Sequence, residues 1–303
     1  MFSGGFYILC LIFLVQCEDI TADAIATNQK YADECGDFPM TKDCNWDPLM
    51  LSIAPKPQKD NAFFCSYDGT GKYTMFLTGN EMAQKALAGI KEVFSGTYKK
   101  LYFAARPVCL TFENFTQGYP SYWGCSEIQN KTAEFLAKIK PDILIISQNM
   151  KNNDNFRAPV ASVEDALGDS VTKQVASYFK LWSAYTKKIF IIEPHPTLFI
   201  KPAASIAKDL AEGKPLDKNF IPLQTVQEQI DPGWMRIKAA AKSCPKCVPI
   251  DTRETFLDED KYWYMDRKTN LSYLCDNNRF SPAGVEKMNP VLKDVIGKAI
   301  TGL

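Results

Sequence analysis

The segment Tyr73-Thr74-Met75-Phe76-Leu77-Thr78-Gly79-Asn80-Glu81 decides the fold, because a short apolar run ends there and a helical pattern begins. Apolar residues then recur at helical spacing as far as Phe94. The same change from a buried run to an amphipathic helix repeats along the rest of the chain. This alternation is typical of parallel strands that are covered by helices on both faces.

Five short apolar runs, each bounded by polar or turn residues, are the predicted strands. Helical patterns separate them, and the last helix is predicted to begin with Ser281 as N-cap and Pro282 at its first position. We therefore predict a three-layer α/β/α domain with a doubly wound, mostly parallel, five-stranded sheet of the flavodoxin-like kind. The runs are Tyr73–Leu77, Leu101–Ala104, Ile143–Ile146, Ile189–Ile192 and Val248–Ile250.

Polar residues that follow the predicted strands are candidates for a ligand site, because such sheets bind ligands beyond the carboxyl ends of their strands. Any one of these residues alone could equally be a solvated loop residue. Their joint placement at one edge of the sheet favours a shared site. The candidates are Glu81, Arg106, Gln148, Asn149, Asp276 and Arg279.

Two of these segments carry a family resemblance. Gly79-Asn80-Glu81 and Asp276-Asn277-Asn278-Arg279 resemble the Gly-Asp-Ser and Asp-x-x-His blocks of the SGNH (GDSL-like) hydrolases. With Cys44-Asn45-Trp46 and Lys140-Pro141-Asp142, they look like the extracellular SGNH module that is often appended to acyltransferase-3 membrane proteins. The resemblance extends from about Cys35 to the C-terminus, and it implies an SGNH fold.

The resemblance also implies a role for each matching position. The serine nucleophile of the family falls on Glu81, its histidine base falls on Arg279, and its orienting acid matches Asp276. Its oxyanion asparagine matches Asn149. The oxyanion glycine after the second strand has no match, since Ala105 or Arg106 stands there.

Both residues that would perform the chemistry are therefore replaced. Arginine stays protonated and has no acceptor lone pair, so it cannot act as a base. Losing the nucleophile or the base of such a triad costs roughly six orders of magnitude in rate. We predict a catalytically silent pseudoenzyme without metal or cofactor, in which Glu81 and Arg279 form a direct ion pair within about 4 Å.

Two kinds of enzyme remain as alternatives to a pseudoenzyme. An active acyl esterase or O-acyltransferase on an acylated carbohydrate or metabolite would need a new base, for which His195 is the one histidine. For His195 we favour a structural role, as a hydrogen-bonded histidine. A two-carboxylate glycosidase could use Glu81 and Asp276. Against it, Arg279 is expected to keep both carboxylates ionised and so to remove the proton donor.

The N-terminus predicts secretion. Phe6–Val15 is an uninterrupted apolar run, and it is shorter than the roughly 20 residues of a membrane span. We therefore predict a signal peptide over residues 1–17, with a transmembrane anchor as the alternative. Residues 18–70 are predicted as a cysteine-bearing extension and residues 71–303 as the SGNH-like domain. No later segment is apolar enough to span a membrane.

Of the ten cysteines, Cys10 and Cys17 fall in the predicted signal peptide, and in an oxidising compartment the even set of eight that remains predicts four disulfides. Cys109 with Cys125 is the favoured single pairing. Cys244-x-x-Cys247 could also be a redox pair or half of a zinc site, but a second such motif is absent, so a structural disulfide is favoured. The remaining members of the set are Cys35, Cys44, Cys65 and Cys275.

Asn114, Asn130 and Asn270 begin glycosylation sequons, which agree with secretion. Lysine and arginine together number 35, as do aspartate and glutamate, so the formal net charge is zero. A neutral chain argues against nucleic acid or an anionic membrane as the partner. The expected ligand is a small molecule, a glycan or another protein. The sequence leaves the oligomeric state open.

Overall fold

A computed structural model describes residues 21–35, 44–54, 63–113, 115, 125, 131–151 and 153–303. Within this part of the chain a seven-stranded sheet forms the centre, with strand order β1-β2-β4-β3-β5-β6-β8. Its strands are β1 (Asn45–Trp46), β2 (Phe63–Asp68), β3 (Tyr73–Gly79), β4 (Tyr98–Ala105), β5 (Ile143–Ser147), β6 (Lys188–Ile192) and β8 (Cys247–Ile250).

The five predicted strands are confirmed as β4-β3-β5-β6-β8, and all neighbours among them are parallel. In chain order they follow the pattern 2-1-3-4-5, which places the switch point of the sheet between β3 and β5. The residues of β3, β5 and β6 are almost entirely buried, as expected of strands covered on both faces. A small second sheet contains β7 (Phe220–Pro222), β9 (Leu257–Asp258) and β10 (Lys261–Trp263).

The prediction of five strands in the sheet is wrong, because the structure has seven. β2 pairs antiparallel with β4, and β1 pairs antiparallel with β2. Both extra strands fall in residues 18–70, which the sequence assigns to an extension. β2 was missed because it lies on an antiparallel flank of the sheet, outside the βαβ alternation that identifies the other strands. These residues therefore extend the central sheet.

Helices cover both faces of the sheet. α3 packs on α10, and α7 packs on α9 and α4. Ser281 caps α10 as predicted, since its Oγ accepts a hydrogen bond from the Gly284 amide at 3.2 Å. The helices are α1 (residues 21–35), α2 (Pro48–Leu51), α3 (Glu81–Phe94), α4 (Thr132–Ile139), α5 (Asp154–Arg157), α6 (Val163–Ala166), α7 (Ser170–Ser183), α8 (Pro202–Ala211), α9 (Leu223–Ala241) and α10 (Pro282–Ile300).

Disulfides join the N-terminal part of the chain to the rest. Cys35 at the end of α1 pairs with Cys275, which lies 240 residues later, just before Asp276. The predicted pairing of Cys109 with Cys125 is confirmed, and the other two bridges join Cys44 to Cys65 and Cys244 to Cys247. Asn28 on α1 adds polar contacts, because its Nδ2 donates to the Asn270 carbonyl at 2.8 Å and its Oδ1 accepts from the Ser272 amide at 2.8 Å.

No helix among the described residues is both long and apolar enough to cross a membrane. Of the predicted glycosylation sites, Asn270 lies in the described part, in a turn with positive φ. Asn114, Asn130 and the predicted signal peptide lie outside it.

Candidate functional site

The turn from β3 into α3 forms the first part of the site. Gly79 has φ of 148°, and a Cβ there would lie 1.8 Å from the Ser147 carbonyl oxygen, so this turn requires glycine. Asn80 caps α3 by accepting from the Met82 amide at 3.2 Å. Its side chain also bonds Asn149 twice, accepting from the amide at 3.2 Å and donating to the carbonyl at 3.0 Å. Asn80 therefore connects the ends of β3 and β5 across the switch point.

Glu81 is the first residue of α3, and only 5% of it is exposed. Its Oε2 accepts from the Val108 amide at 2.8 Å, and its Oε1 accepts from the Asn278 Nδ2 at 3.2 Å. Burial raises the pKa of the Glu81 carboxyl above its usual value, with a smaller contribution from the charge of Asp276. The Val108 amide and the Arg279 charge oppose that shift without cancelling it.

The loop before α10 is organised around the Asp276 carboxylate. Its Oδ1 accepts from the amides of Asn278 and Arg279, at 3.1 and 2.9 Å. Its Oδ2 accepts from the Arg279 guanidinium, at 2.7 Å from Nε and 2.5 Å from Nη2. Such charge-assisted contacts are among the stronger hydrogen bonds in proteins. The carboxylate thus holds both the loop and the arginine side chain.

The predicted ion pair between Glu81 and Arg279 is therefore wrong. Arg279 binds Asp276, three residues away in the same loop, and the Glu81 oxygens are bonded to Val108 and Asn278. Burial is the largest influence on the Glu81 pKa and raises it, although the charge of Arg279 acts in the opposite direction. Arg279 pairs with Asp276 because both residues belong to the same loop, whereas a pair with Glu81 would have to span the crevice.

The remaining candidates are all buried at the same edge of the sheet. Asn149 accepts from the Lys151 amide through Oδ1 at 2.8 Å, and its Nδ2 donates to the Thr197 hydroxyl at 3.4 Å. Gln148 accepts from the amide and hydroxyl of Thr111. Arg106 donates its amide to the Gly79 carbonyl at 3.3 Å. Asn149 therefore lies beside the Glu81 turn, whereas Gln148 is engaged with the segment after β4.

His195 follows β6 and is buried against the same loop. Its Nε2 lies 2.6 Å from the Asn278 carbonyl oxygen, and its ring is centred 3.8 Å from that of Phe280. Because a carbonyl only accepts, Nε2 carries the proton. Burial lowers the pKa of His195 to about 4, so the ring is neutral near pH 7. The contacts are those of a hydrogen-bonded structural histidine.

Sequence reasoning missed the Val108 amide as a member of the site. Val108 has φ of 63°, a left-handed conformation that β-branched residues rarely adopt, and its amide reaches Glu81. Backbone strain of this kind clusters at functional sites. A glycine would have signalled the conformation, but valine gives no such signal. Asn278 was also missed, because the x positions of an Asp-x-x-His block carry no assigned role.

A cavity of about 240 Å³ lies beside Asn149, between the segment after β5 and helix α9. In it the Lys151 ammonium donates to Gln229 Oε1 at 3.0 Å, and the same oxygen accepts from the Thr197 amide at 2.9 Å. This bond joins the segment that follows Thr197 to the Gln229 side chain of the cavity lining. There Leu198 donates to the Asn277 carbonyl at 2.7 Å, while the Phe199 side chain is 99% exposed.

Comparison with solved structures finds SGNH-type folds. The periplasmic domain of a lipopolysaccharide acetyltransferase from Salmonella ser. Paratyphi A is 13% identical with a TM-score of 0.55, covering 75% of this chain and 84% of that one. The C-terminal catalytic domain of peptidoglycan O-acetyltransferase A from Streptococcus pneumoniae is 13% identical, with a TM-score of 0.32 and coverages of 77% and 94%. A mutant acetyl-xylooligosaccharide esterase from Geobacillus is 12% identical, with a TM-score of 0.38 and coverages of 76% and 97%.

Comparison with curated proteins by sequence gives no match. The family model described as "SGNH domain (fused to AT3 domains)" matches residues 52–294, which include β2, the Glu81 turn and the Asp276 loop. The match agrees with the strand order of the sheet and with the position of both candidate segments at its edge. The chain therefore belongs to the SGNH domain family, in the group described as fused to AT3 domains.

Proposed function

We propose that this chain is a secreted, catalytically silent SGNH domain that binds a glycan or an acylated small ligand at the edge of its sheet. The observation that carries the proposal is the pairing of Arg279 with Asp276, at 2.7 and 2.5 Å, where the base and its orienting acid would stand. Secretion rests on the apolar N-terminal run, the sequons and the disulfides.

The nucleophile position supports the absence of acyl transfer. Glu81 stands where a serine hydroxyl would attack, and its carboxylate accepts the Val108 amide at 2.8 Å. In hydrolases, backbone N–H groups stabilise the oxyanion of the transition state, and for this they must be free of other acceptors. Here the Glu81 carboxylate uses such a donor in the resting protein. A substrate carbonyl would have to displace it.

The base position supports the same conclusion. The Arg279 guanidinium cannot accept a proton, and its Nε and Nη2 donate to Asp276. His195 is buried, and its Nε2–H donates to the Asn278 carbonyl. His195 therefore stabilises the Asp276 loop. Both candidates for a general base are thus committed to the structure of the loop itself.

For the glycosidase alternative, the geometry disfavours the nucleophile and not the proton donor. The raised pKa of Glu81 would suit a proton donor. Asp276, however, accepts from two backbone amides and two guanidinium N–H groups, which occupy both of its oxygens. An attacking carboxylate must expose a lone pair to the sugar carbon. The geometry therefore disfavours Asp276 in that role.

The cavity beside Asn149 supports a polar ligand. Lys151, Gln229 and Asn149 present an ammonium and amide groups, which match hydroxyl and acyl oxygens. Phe199 lies two residues after Thr197, whose amide donates to Gln229, and we propose that its exposed ring offers an apolar face for a sugar ring. A few convergent polar groups with an apolar neighbour are typical of small-ligand sites.

Binding to an array of acylated and free glycans tests the ligand class. The wild-type chain should retain a defined subset, and Lys151→Ala and Phe199→Ala should each weaken retention at least tenfold. Phe199→Ala is a clean probe, because a side chain that is 99% exposed contributes little to folding. Leu181→Ala, at a 43% exposed position on α7, is the matched control and should leave retention unchanged. Equal retention by all four proteins would contradict a site at this cavity.

Labelling with a serine-directed fluorophosphonate tests catalytic silence. We expect no adduct on the wild-type chain, because Glu81 replaces the activated serine of the family. An adduct of stoichiometric amount would identify a displaced nucleophile and would support the esterase alternative instead.

A further inference from the structure

A second cavity, of about 530 Å³, lies on another side of α3, enclosed by α1, α3 and the beginning of α10. Neither Glu81 nor Asn149 lines it, so it is distinct from the site described above. Its volume lies in the range that encloses small organic ligands. Its lining includes the apolar or aromatic residues Tyr31, Ala88, Gly89, Phe280, Pro282 and Val285.

Lys85 is the lysine that lines this cavity, one helical turn after Glu81. Within the described part of the chain, its ammonium has no carboxylate at ion-pair distance and no hydrogen-bond partner. Burial lowers the pKa of Lys85 to about 8, with a further contribution from the nearby charge of Arg279. A partly buried cation without a counter-ion can gain free energy from an anionic ligand.

The carboxylates around Lys85 are either bound by another cation or exposed to solvent. Asp276 attracts the ammonium, but its carboxylate is bound by Arg279. Glu34 on α1 also attracts it, and Glu34 is exposed and lies 3.8 Å from the Lys30 ammonium. Glu92 and Glu286 are exposed residues of the lining, and the charge of Glu286 acts on Tyr31. Solvated carboxylates of this kind compensate a buried ammonium only weakly.

The far end of the cavity contains a second unfulfilled polar atom. Asn289 Oδ1 on α10 is buried, and among the described residues no group donates to it. It packs over Gly89, because a Cβ at that position would lie 2.5 Å from this oxygen. The stretch from Lys85 to Asn289 therefore presents a cation, then an apolar floor at Ala88 and Gly89, then a single acceptor.

We propose that this helix-lined cavity is a second ligand site, which takes a small amphipathic carboxylate with its head on the Lys85 ammonium and its chain along Ala88, Gly89 and Val285. The proposal goes beyond the glycan site and does not depend on it. The ligand forms the ion pair that Lys85 lacks, and its chain covers the apolar floor between α3 and α10. Binding therefore favours the charged form of Lys85.

Calorimetric titration of the disulfide-bonded full chain with decanoate tests the proposal. We expect saturable binding at pH 7, at least tenfold weaker binding to Lys85→Met, and unchanged binding to Lys180→Met, an exposed lysine on α7. Above the pKa of Lys85, affinity should fall as pH rises, because the free ammonium must be protonated to pair. The other titratable or charged groups that face Lys85 or line the cavity are Tyr31, Glu34, Glu92, Glu286, Asp276 and Arg279, and Lys85→Met should abolish this pH dependence.

A second variant keeps the test decisive if Lys85→Met fails to fold. Ala88 is exposed on the cavity side of α3, so Ala88→Phe fills the floor while retaining Lys85, and decanoate binding should again weaken at least tenfold. No saturable decanoate binding to the wild-type chain would overturn the proposal. So would equal binding to Ala88→Phe, or tighter binding of decylamine than of decanoate, which would assign the cavity to a cation held by Glu34, Glu92 and Glu286.

Discussion

Among single side chains, Glu81 and Arg279 each bond to partners other than one another. Arg279 could have crossed the crevice to Glu81, but Asp276 is three residues away and already positioned by two backbone amides. Glu81 is left with a neutral amide donor on each side, and its burial favours the protonated form. Two charges of opposite sign at neighbouring positions therefore need not form a pair.

Replacing Glu81 by glutamine should stabilise the fold in a pH-dependent way. A raised pKa in the folded state means that the stabilisation from protonated Glu81 is complete below the unfolded pKa of 4.5 and is lost as pH rises through the folded pKa. Glutamine stays neutral, so the advantage of Glu81→Gln in unfolding free energy should grow above pH 4.5. Urea denaturation at pH 4, 6 and 8 measures it, with the exposed Glu92→Gln as control for the substitution. An advantage that stays constant across this range would contradict the raised pKa.

The single histidine should titrate far below its ordinary value. Its folded pKa of about 4, against 6.5 for an exposed histidine, means that neutral His195 stabilises the fold above pH 6.5. That stabilisation should be lost as pH falls through 4, and it amounts to about 3 kcal/mol for such a shift. Proton NMR of the imidazole signals measures the pKa without assignment, because the chain has only one histidine. A pKa near 6.5 would show that the ring is not buried against Phe280.

Among secondary-structure elements, the close contact of α3 with α10 fixes the site, because Glu81 begins one helix and the Asp276 loop leads into the other. Gly89 permits this contact. A Cβ there would lie 2.3 Å from Val285 Cγ1 and 2.5 Å from Asn289 Oδ1, so these two side chains would have to shift or the helices would have to separate. The Cys35–Cys275 bridge fastens α1 beside the same pair.

A matched pair of alanine substitutions tests this contact. Gly89→Ala should destabilise the chain by about 1–3 kcal/mol, as overpacking of a closed contact does. Gly297→Ala is the control, since it lies in the interior of α10 and a Cβ there meets nothing within 4 Å. It should stabilise the chain by about 0.5–1 kcal/mol through helix propensity. Thermal denaturation compares them, and equal stabilisation by both would refute the close approach of the helices.

For the molecule as a whole, the bridges differ in how much of the chain they constrain. Cys35–Cys275 closes 240 residues, whereas Cys244–Cys247 closes 3. Loop-closure entropy predicts about 5 kcal/mol for the first and about 2 kcal/mol for the second. Replacing each pair by serine and measuring unfolding in urea should give a clearly larger loss for the long bridge. An equal loss would indicate that native contacts of α1, such as Asn28 with Ser272, carry the attachment instead.

The sequence predicted the five parallel strands, the Ser281 cap and the gathering of Glu81, Asn149, Asp276 and Arg279 at one edge, because periodicity and turn chemistry are local. It missed β1 and β2, whose strand character depends on a long-range antiparallel partner. It also missed Val108, since a valine with positive φ is imposed by its surroundings. The partner of Arg279 could not be predicted, because two carboxylates, Glu81 and Asp276, compete for its guanidinium. The charges alone do not say which of them binds it.

Turnover of an acetyl ester by the purified chain tests the central claim most directly. With p-nitrophenyl acetate, the wild type should hydrolyse no faster than Asp276→Ala or a mock purification, because neither a nucleophile nor a base remains beside Asn149. Enzymes of ordinary efficiency turn over about 1–1000 times per second. A wild-type rate in that range, lost in Asp276→Ala and absent from the mock preparation, would contradict a catalytically silent site.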